Sequence, residues 1–165
     1  MKTLTVDEVR DVLRAVMDPE IPTASIVDLG MVHDVRVTAG RIEIDLLPTF
    51  AGGPALDVIR EDVERASRDI AGDLDVMVRF VNSPPWTTDR INEEGKSALH
   101  GYGISSPLLQ IGRAHHVACP YCGSENTIEE SAFGPTPCRT VRYCKSCRNP
   151  FEGFKTKLQP NASAS

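Results

Sequence analysis

The chain has 165 residues, of which 41% are hydrophobic, 25% charged and 5% aromatic, and its net charge at pH 7 is −5. This is the composition of an ordinary folded protein, which excludes a disordered chain or a fibre. No apolar run approaches the roughly 20 residues that cross a bilayer, and the N-terminal segment lacks an apolar signal core. We therefore expect a cytoplasmic protein, in a reducing compartment and without a membrane partner.

Charge and cysteine are unevenly distributed along the chain. Residues 1–112 carry 11 basic and 19 acidic side chains, whereas residues 113–165 carry 7 and 4 and contain all five cysteines. The acidic first part argues against a large nucleic-acid footprint. The expected organisation is an acidic domain over 1–110, a linker over 111–117, a cysteine module over 118–158 and a disordered tail over 159–165.

Helical and strand patterns alternate in the acidic part. Apolar spacing predicts, in chain order, a helix over 6–17, strands over 32–37 and 41–46, a helix with a stripe from Leu56 to Ile70, a strand over 74–80 and a weaker helix over 88–99. Gly95 lies inside the last helix and weakens that prediction. The order α-β-β-α-β-α has too few strands for a doubly wound sheet. The predicted fold class is α+β, a small mixed sheet covered by helices, followed by a zinc-ribbon module.

The cysteine module contains two Cys-x-x-Cys pairs, Cys119 with Cys122 and Cys144 with Cys147, and 21 residues separate the pairs. Each pair presents two thiolates from one tight turn, and two facing turns make a tetrahedral four-sulfur site. This spacing favours structural zinc in a ribbon. A single iron or an iron–sulfur cluster is the alternative.

The fifth cysteine, Cys138, lies between the two pairs and beside Arg139. One interpretation is a small residue packed near the metal site. The other is a reactive or auxiliary thiol, activated by neighbouring arginines, that handles metal or sulfur.

Three carboxylates in the acidic part, Asp18, Glu20 and Asp28, lie near two turns of the chain. With Thr49 they could line a pocket for a hard cation, which prefers oxygen ligands. We favour the alternative, in which the aspartates accept hydrogen bonds from loop backbone N–H groups. No nucleophile with a base and an orienting group is visible, so we expect no catalysis by this chain itself.

Trp86 is the only tryptophan and follows two prolines. It is either a core residue at the end of a strand or an exposed anchor that binds a partner.

Several motifs resemble known families. Ile26-Val27-Asp28-Leu29-Gly30 and the loop Leu47-Pro48-Thr49-Phe50 resemble the metal–sulfur cluster biosynthesis (SufT-like) domain family. Ser83-Pro84-Pro85-Trp86, Gly101-Tyr102-Gly103 and Phe133-Gly134-Pro135-Thr136-Pro137-Cys138 are similar to the PaaD family of phenylacetate-CoA oxygenase components. The combined resemblance runs from about residue 5 to residue 157.

The resemblance implies an accessory role in phenylacetate catabolism, a branch of aromatic compound degradation. PaaD proteins accompany a multicomponent di-iron oxygenase that converts phenylacetyl-CoA to its ring-1,2-epoxide, and their relatives mature iron–sulfur proteins. The implied partners are the protein subunits of the oxygenase and its reductase, and the implied role is assistance in metal or cluster assembly. A docking subunit without chemistry is the alternative, and a homo-oligomer stays open.

One position departs from the family pattern. The family has Gly-Cys-Pro where this chain has Gly52-Gly53-Pro54. Glycine can neither coordinate a metal nor carry a persulfide, so either Cys138 supplies a thiol or the domain acts by binding. A nucleic-acid-binding ribbon, suggested by the net charge of +3 over residues 113–165, is a less favoured alternative.

Overall fold

The computed structural model describes residues 3–49, 53–105, 117–136 and 139–154. The chain divides into two compact units, the first made of Met1–Trp86 with Arg90–Tyr102 and the second of Thr87–Asp89 with Gly103–Ser165. Within the described ranges, no helix is both long enough and apolar enough to cross a membrane.

The first unit has the predicted α-β-β-α-β-α order, with one addition. Its elements are α1 (Val6–Leu13), β1 (Met17–Asp18), β2 (Ile21–Ser25), β3 (Val32–Val37), β4 (Arg41–Leu46), α2 (Pro54–Ala71), β5 (Asp75–Phe80) and α3 (Glu93–Gly101). Strand β4 pairs antiparallel with β3 and parallel with β5, which makes a mixed three-stranded sheet. The predicted α+β fold class is therefore confirmed.

Helix α1 is shorter than its apolar spacing predicts. A capping box opens it, because the Thr5 side chain accepts from the Glu8 backbone N–H at 3.3 Å and Glu8 accepts from the Thr5 backbone N–H at 3.0 Å. The helix ends at Leu13, and Val16 is buried in the turn that follows. The two-stranded antiparallel sheet of β1 and β2 was not predicted, because the sequence of this region indicates only that helix α1 ends there.

The central strand β4 shows why the sheet has one apolar and one charged face. Ile42, Ile44 and Leu46 are fully buried, and they alternate with charged residues because successive strand side chains point to opposite faces. Helix α2 contributes Ile59 and Val63 to the buried core of the unit.

On the charged face, Asp45 is held between two arginines. One carboxylate oxygen accepts from Arg79 Nε at 2.9 Å and Nη2 at 2.8 Å, and the other accepts from Arg36 Nη2 at 3.0 Å. Desolvation acts to raise the pKa of Asp45, but the hydrogen bonds from Arg79 and Arg36 outweigh it and hold the pKa below its ordinary value. The ionised form of Asp45 is thus part of the folded sheet.

The second unit is a four-stranded ribbon with strand order β6-β9-β8-β7. Its strands are β6 (Ile104–Ser105), β7 (Thr127–Ser131), β8 (Arg139–Cys144) and β9 (Pro150–Phe154). Strand β6 pairs parallel with β9, so residues 104 and 105 belong to the ribbon sheet although the sequence pattern assigns them to the acidic domain. The expected linker lies outside the described residues except for Val117, which is buried in the ribbon core. The expected tail also lies outside them.

Candidate metal centre

Two equivalent turns position the four cysteines of the paired motifs. In the first turn, Gly123 N donates to Cys119 O at 2.9 Å, and in the second, Arg148 N donates to Cys144 O at 2.9 Å. Gly123 has a φ of +75° and Arg148 a φ of +62°, so both turns need a left-handed residue at the same place. Only the first turn uses glycine there, which is the residue that adopts this conformation without strain.

The turns bring the four sulfur atoms of Cys119, Cys122, Cys144 and Cys147 within 4.8 Å of one another. Across the two turns, Cys119 Sγ lies 3.6 Å from Cys147 Sγ, and Cys122 Sγ lies 3.6 Å from Cys144 Sγ. Four sulfurs at the usual Zn–S bond length of about 2.3 Å in a tetrahedron are about 3.8 Å apart. The sulfur positions therefore fit a tetrahedral metal ion.

Burial differs among the four ligands. Cys119 and Cys144 are buried beside Val117 and Phe151, whereas Cys122 is exposed. Backbone N–H groups also point at sulfur, since Tyr121 N lies 3.4 Å from Cys119 Sγ. Such donors stabilise thiolates, which are the form that binds a metal.

The pKa values of the cysteines reflect two opposing effects. Hydrogen bonds from the turns favour the thiolates, whereas desolvation opposes their ionisation and neighbouring sulfurs shift individual thiols in either direction. The Ser124 backbone N–H favours the Cys122 thiolate, but desolvation and the other three sulfurs outweigh it and raise the pKa of Cys122 to about 11. The Cys147 backbone N–H leads the contacts that lower the pKa of Cys144 to about 6. Desolvation opposes ionisation of Cys147 too, but the two hydrogen bonds that Asn149 donates lower its pKa.

Asn149 is a supporting residue that suits the turn by its position, but its contacts with the cysteines were not predicted from the motif. Its side-chain amide lies 3.5 Å from Cys147 Sγ, and its backbone carbonyl accepts from Cys144 N at 3.0 Å. The available signal was its position two residues after the second Cys-x-x-Cys pair.

The carboxylates proposed for an acidic pocket have local structural partners. Asp18 is buried, and its Oδ1 accepts from Glu20 N at 2.8 Å and Ile21 N at 3.1 Å. Asp28 is half-buried, and its Oδ1 accepts from Asn92 Nδ2 at 2.9 Å. These bonds match the favoured interpretation for Asp18, whereas Asp28 binds a side-chain amide that the sequence did not suggest.

Glu20 and Thr49 are both half-buried. Among the residues that the structure describes, the four cysteines form the group of three or more metal-ligating side chains with atoms close enough for one ion, and the acidic residues form no such group. The fifth cysteine, Cys138, lies outside the described residues.

Trp86 is a core residue, which is the first of its two interpretations, and the structure does not support the alternative of an exposed partner anchor. Its side chain is 3% exposed, and Nε1 donates to Leu29 O at 2.8 Å. The indole packs into the core just after β5, and its Nε1 donates to a backbone carbonyl, since the polar atom of a buried tryptophan usually has a hydrogen-bond partner.

Comparisons with known proteins match the two units separately. A model described as iron-sulfur cluster assembly protein matches residues 6–80, and a model described as PaaD zinc beta ribbon domain matches residues 105–155. A solved structure from Bacillus anthracis, described as a domain of unknown function DUF59, has 30% identity and a TM-score of 0.53, covering 56% of this chain and 89% of that one. A conserved hypothetical protein from Thermotoga maritima has 28% identity and a TM-score of 0.52, covering 59% and 95%.

Relatives of known name fall into two groups. An Escherichia coli K12 protein, provisionally named as the D component of 1,2-phenylacetyl-CoA epoxidase, is 37% identical over 153 residues, which cover 91% of this chain and 92% of that protein. The Bacillus subtilis Fe-S protein maturation auxiliary factor YitW is 34% identical over 94 residues, covering 56% and 91%. The Staphylococcus aureus Fe-S protein maturation auxiliary factor SufT is 36% identical over 85 residues, covering 51% and 96%.

The fold and the cysteine site define a protein in which an iron–sulfur cluster assembly domain precedes a zinc-ribbon domain. The similarity to the E. coli protein runs through both parts and nearly the whole of both chains. The chain belongs to the PaaD family of phenylacetyl-CoA epoxidase components.

Proposed function

We propose that this protein is an accessory maturation subunit of a multicomponent phenylacetyl-CoA epoxidase and assists metal or iron–sulfur cluster assembly in the oxygenase or its reductase. The observation that carries the proposal is the joining of two domain types in one chain. The first resembles maturation factors such as YitW, and the whole chain resembles an epoxidase component.

In this proposal the ribbon binds one zinc ion through Cys119, Cys122, Cys144 and Cys147. Four thiolates at tetrahedral separation suit zinc, although they also suit iron. Zinc would supply structure rather than chemistry, because a four-sulfur site leaves no open coordination position for a substrate. Among the described residues, the buried cluster around the site contains only two large apolar side chains besides the cysteines, Val117 and Phe151. In this proposal the bound metal therefore provides stability that a larger apolar core would otherwise give.

Gly53 bears on how the first unit contributes. It stands directly before α2 with a φ of +105°, and it provides no side-chain cap. A residue without a side chain offers neither a thiol nor an oxygen to a metal. The proposal therefore assigns to the first unit the binding of partner proteins rather than covalent sulfur chemistry at this position.

The deciding experiment compares oxygenase and reductase subunits produced with and without this chain. We expect subunits made without it to contain less iron or less acid-labile sulfide and to have lower epoxidase activity. The variant Cys144→Ser should give the same deficit, and Lys145→Ala, an exposed non-ligand in the same turn, should not. Full metal content and full activity without the chain would refute a maturation role.

A docking subunit without a maturation role is the second candidate, and Gly53 in place of the family cysteine favours it. The two candidates separate in the same preparations. A stable complex with the oxygenase that survives size-exclusion chromatography, with unchanged metal content in the absence of the chain, would support docking alone.

The identity of the metal has its own test. Protein purified without oxygen should contain one zinc per chain and no acid-labile sulfide, and Cys144→Ser should lose that zinc. Iron together with sulfide would instead indicate a cluster on the same four cysteines.

A further inference from the structure

Strand β5 lies at the edge of the three-stranded sheet, so one side of its backbone faces away from β4. Asp75 N donates to Gly40 O at 3.0 Å, which shows that the N–H groups of the odd-numbered residues of β5 point toward β4. In a parallel pair, alternate residues direct both of their backbone groups to the same side. The even-numbered residues therefore direct N–H and C=O toward the open edge, and they are Val76, Val78 and Phe80.

The open edge of β5 lacks the usual protection against pairing with another chain. Sheet edges are commonly protected by short length, bulges, proline or charge. The other edge strand of this sheet, β3, has an irregular register between Val32 and Asp34. In the ribbon sheet, β7 has an irregular register between Glu129 and Ser131, and β6 has only two residues. Strand β5 has six residues, an unbroken register with β4 and no proline, and its two charged residues are opposite in sign.

The sequence of β5 is self-complementary when two copies of the strand run antiparallel. If Met77 lies on the two-fold axis, Asp75 of one copy lies opposite Arg79 of the other, and Val76 lies opposite Val78. Directly opposite residues share a face of the sheet, so the opposite charges meet on the charged face and the valines meet on the apolar face. A slip by one residue would exchange the two faces, and a slip by two would separate Asp75 from Arg79.

The two charged side chains can each accommodate a second partner. The Asp75 side chain is 64% exposed, and its Oδ2 lies 3.3 Å from Arg41 Nε. Arg79 is 49% exposed and uses Nε and Nη2 to bind Asp45, while its Nη1 makes no hydrogen bond within the described ranges. Arg79 can therefore bind Asp45 of its own chain and Asp75 of a second copy together. Exposed ion pairs stabilise little, so their contribution here is mainly to select the register.

The backbone groups of β5 match the same register. Antiparallel strands alternate between hydrogen-bonded pairs, which exchange two N–H···O=C bonds, and non-hydrogen-bonded pairs. With Met77 on the two-fold axis, the two pairs of Val76 with Val78 are the hydrogen-bonded ones, and their N–H and C=O groups already point toward the open edge. Met77 faces its own copy as a non-hydrogen-bonded pair.

We infer that β5 is a homodimer interface, at which a second copy of this chain pairs antiparallel through Asp75–Phe80 with Met77 on the two-fold axis. The pairing joins the two three-stranded sheets into one sheet of six strands. A two-fold contact in which one surface meets itself is the commonest arrangement of soluble oligomers. The inference goes beyond the proposed function and does not depend on it.

Disulfide cross-linking of the zinc-loaded full chain tests the register. Met77→Cys should give a disulfide-linked dimer in oxidised glutathione, because residues of a non-hydrogen-bonded pair have Cα atoms about 4.5 Å apart, within disulfide range. Asp75→Cys is the matched control. Residue 75 is more exposed than Met77, but its two copies would lie roughly 13 Å apart along the strands, which is too far for a disulfide. The wild type gives the background from the five native cysteines.

Sedimentation velocity over a range of protein concentrations tests the association itself. We expect the wild type to shift from one chain to two as its concentration rises. Asp75→Arg should weaken the association at least tenfold, because it places like charges at two contacts of each dimer. Asp69→Arg makes the same change of net charge on α2, in a depression lined by Val16 and Met17, and should associate like the wild type. Urea unfolding monitored by Trp86 fluorescence verifies that each variant is folded.

Three results would each show that the inference is wrong. The first is a wild type that stays a single chain at every concentration, and the second is a dimer that Asp75→Arg leaves equally strong. The third is cross-linking of Asp75→Cys to the level of Met77→Cys, which would exclude this register even if a dimer forms. None of these results bears on the maturation role, which is measured by the metal content of the oxygenase subunits.

Discussion

Helix α3 offers a substitution for which helix propensity and packing predict opposite signs. Gly95 lies inside this helix, where alanine is intrinsically better by about 1 kcal/mol. However, a Cβ atom at position 95 would lie 2.4 Å from Asp28 O and 2.8 Å from Ile91 Cγ2. The same Asp28 carbonyl accepts a hydrogen bond from Asn92 N at 3.0 Å, so the helix cannot retreat without stretching it.

The balance predicts that Gly95→Ala destabilises the first unit. Overpacking costs roughly 1–3 kcal/mol, and a weakened hydrogen bond adds about 1 kcal/mol. After the propensity gain is subtracted, we expect a net loss of about 2 kcal/mol in the free energy of unfolding. Gly101→Ala is the matched control, because position 101 ends the same helix and a Cβ there meets nothing within 4 Å. It should be neutral or slightly stabilising.

Urea unfolding monitored by Trp86 fluorescence measures this difference, since the only tryptophan is buried in the first unit. The midpoint should fall for Gly95→Ala and hold or rise for Gly101→Ala, with an unchanged slope in both. If Gly95→Ala is as stable as the wild type or more stable, the close approach between α3 and the Asp28 loop does not restrict the helix and the reasoning is wrong.

Four further substitutions test other parts of the structure. Cys144→Ser should abolish zinc binding and unfold the ribbon while Trp86 emission stays native, because structural zinc supplies roughly 10 kcal/mol or more to such modules; loss of both signals together would contradict this. Gly123→Ala should destabilise the zinc-loaded ribbon by about 1 kcal/mol. Arg148→Gly removes left-handed strain but adds unfolded-state entropy, so it should change the stability of the ribbon by less than about 0.5 kcal/mol. Zinc release in urea, followed with a chromogenic chelator, measures both effects. Asp45→Asn should cost about 1–2 kcal/mol at pH 7. The pKa of Asp45 is lowered in the folded protein. The stability difference between the wild type and Asp45→Asn should therefore be fully present above the unfolded pKa of about 4, and it should vanish as the pH falls through the folded pKa. A stability difference that persists in acid would refute the role of the ionised carboxylate.

The strand and helix order of the first unit could be predicted because each element carries its own periodicity. Ile42, Ile44 and Leu46 alternate with charged residues, and burial of the first three is what the structure shows. The small β1–β2 sheet could not be predicted, since β1 has only two residues and no period. The sequence shows Gly95 only as a weak point in a predicted helix. That the glycine makes room for the Asp28 carbonyl could not be predicted, because Asp28 comes from a distant part of the chain.

The cysteine site could be predicted from the sequence, whereas the contacts of the acidic residues could not. Cys-x-x-Cys spacing is local, so the two turns and their four sulfurs follow from sequence alone. The acidic residues have no such spacing, and their partners are set by tertiary contacts such as that between Asp28 and Asn92. The hydrogen bond from Trp86 to the Leu29 carbonyl likewise depends on a tertiary contact, so the sequence alone left an exposed site open as an alternative to the core.

The position of the four-cysteine site in the ribbon bears on what the ribbon can contribute to the proposed maturation role. Cys119 and Cys144 are themselves part of the buried cluster that contains Val117 and Phe151. Removing a metal from such a site removes the centre of the core, so its release would unfold the unit that holds it. A metal on which its own domain depends is poorly suited to transfer, even though one ligand, Cys122, is exposed. In the proposed function, any metal or cluster delivered to the oxygenase would therefore be handled elsewhere than at these four sulfurs.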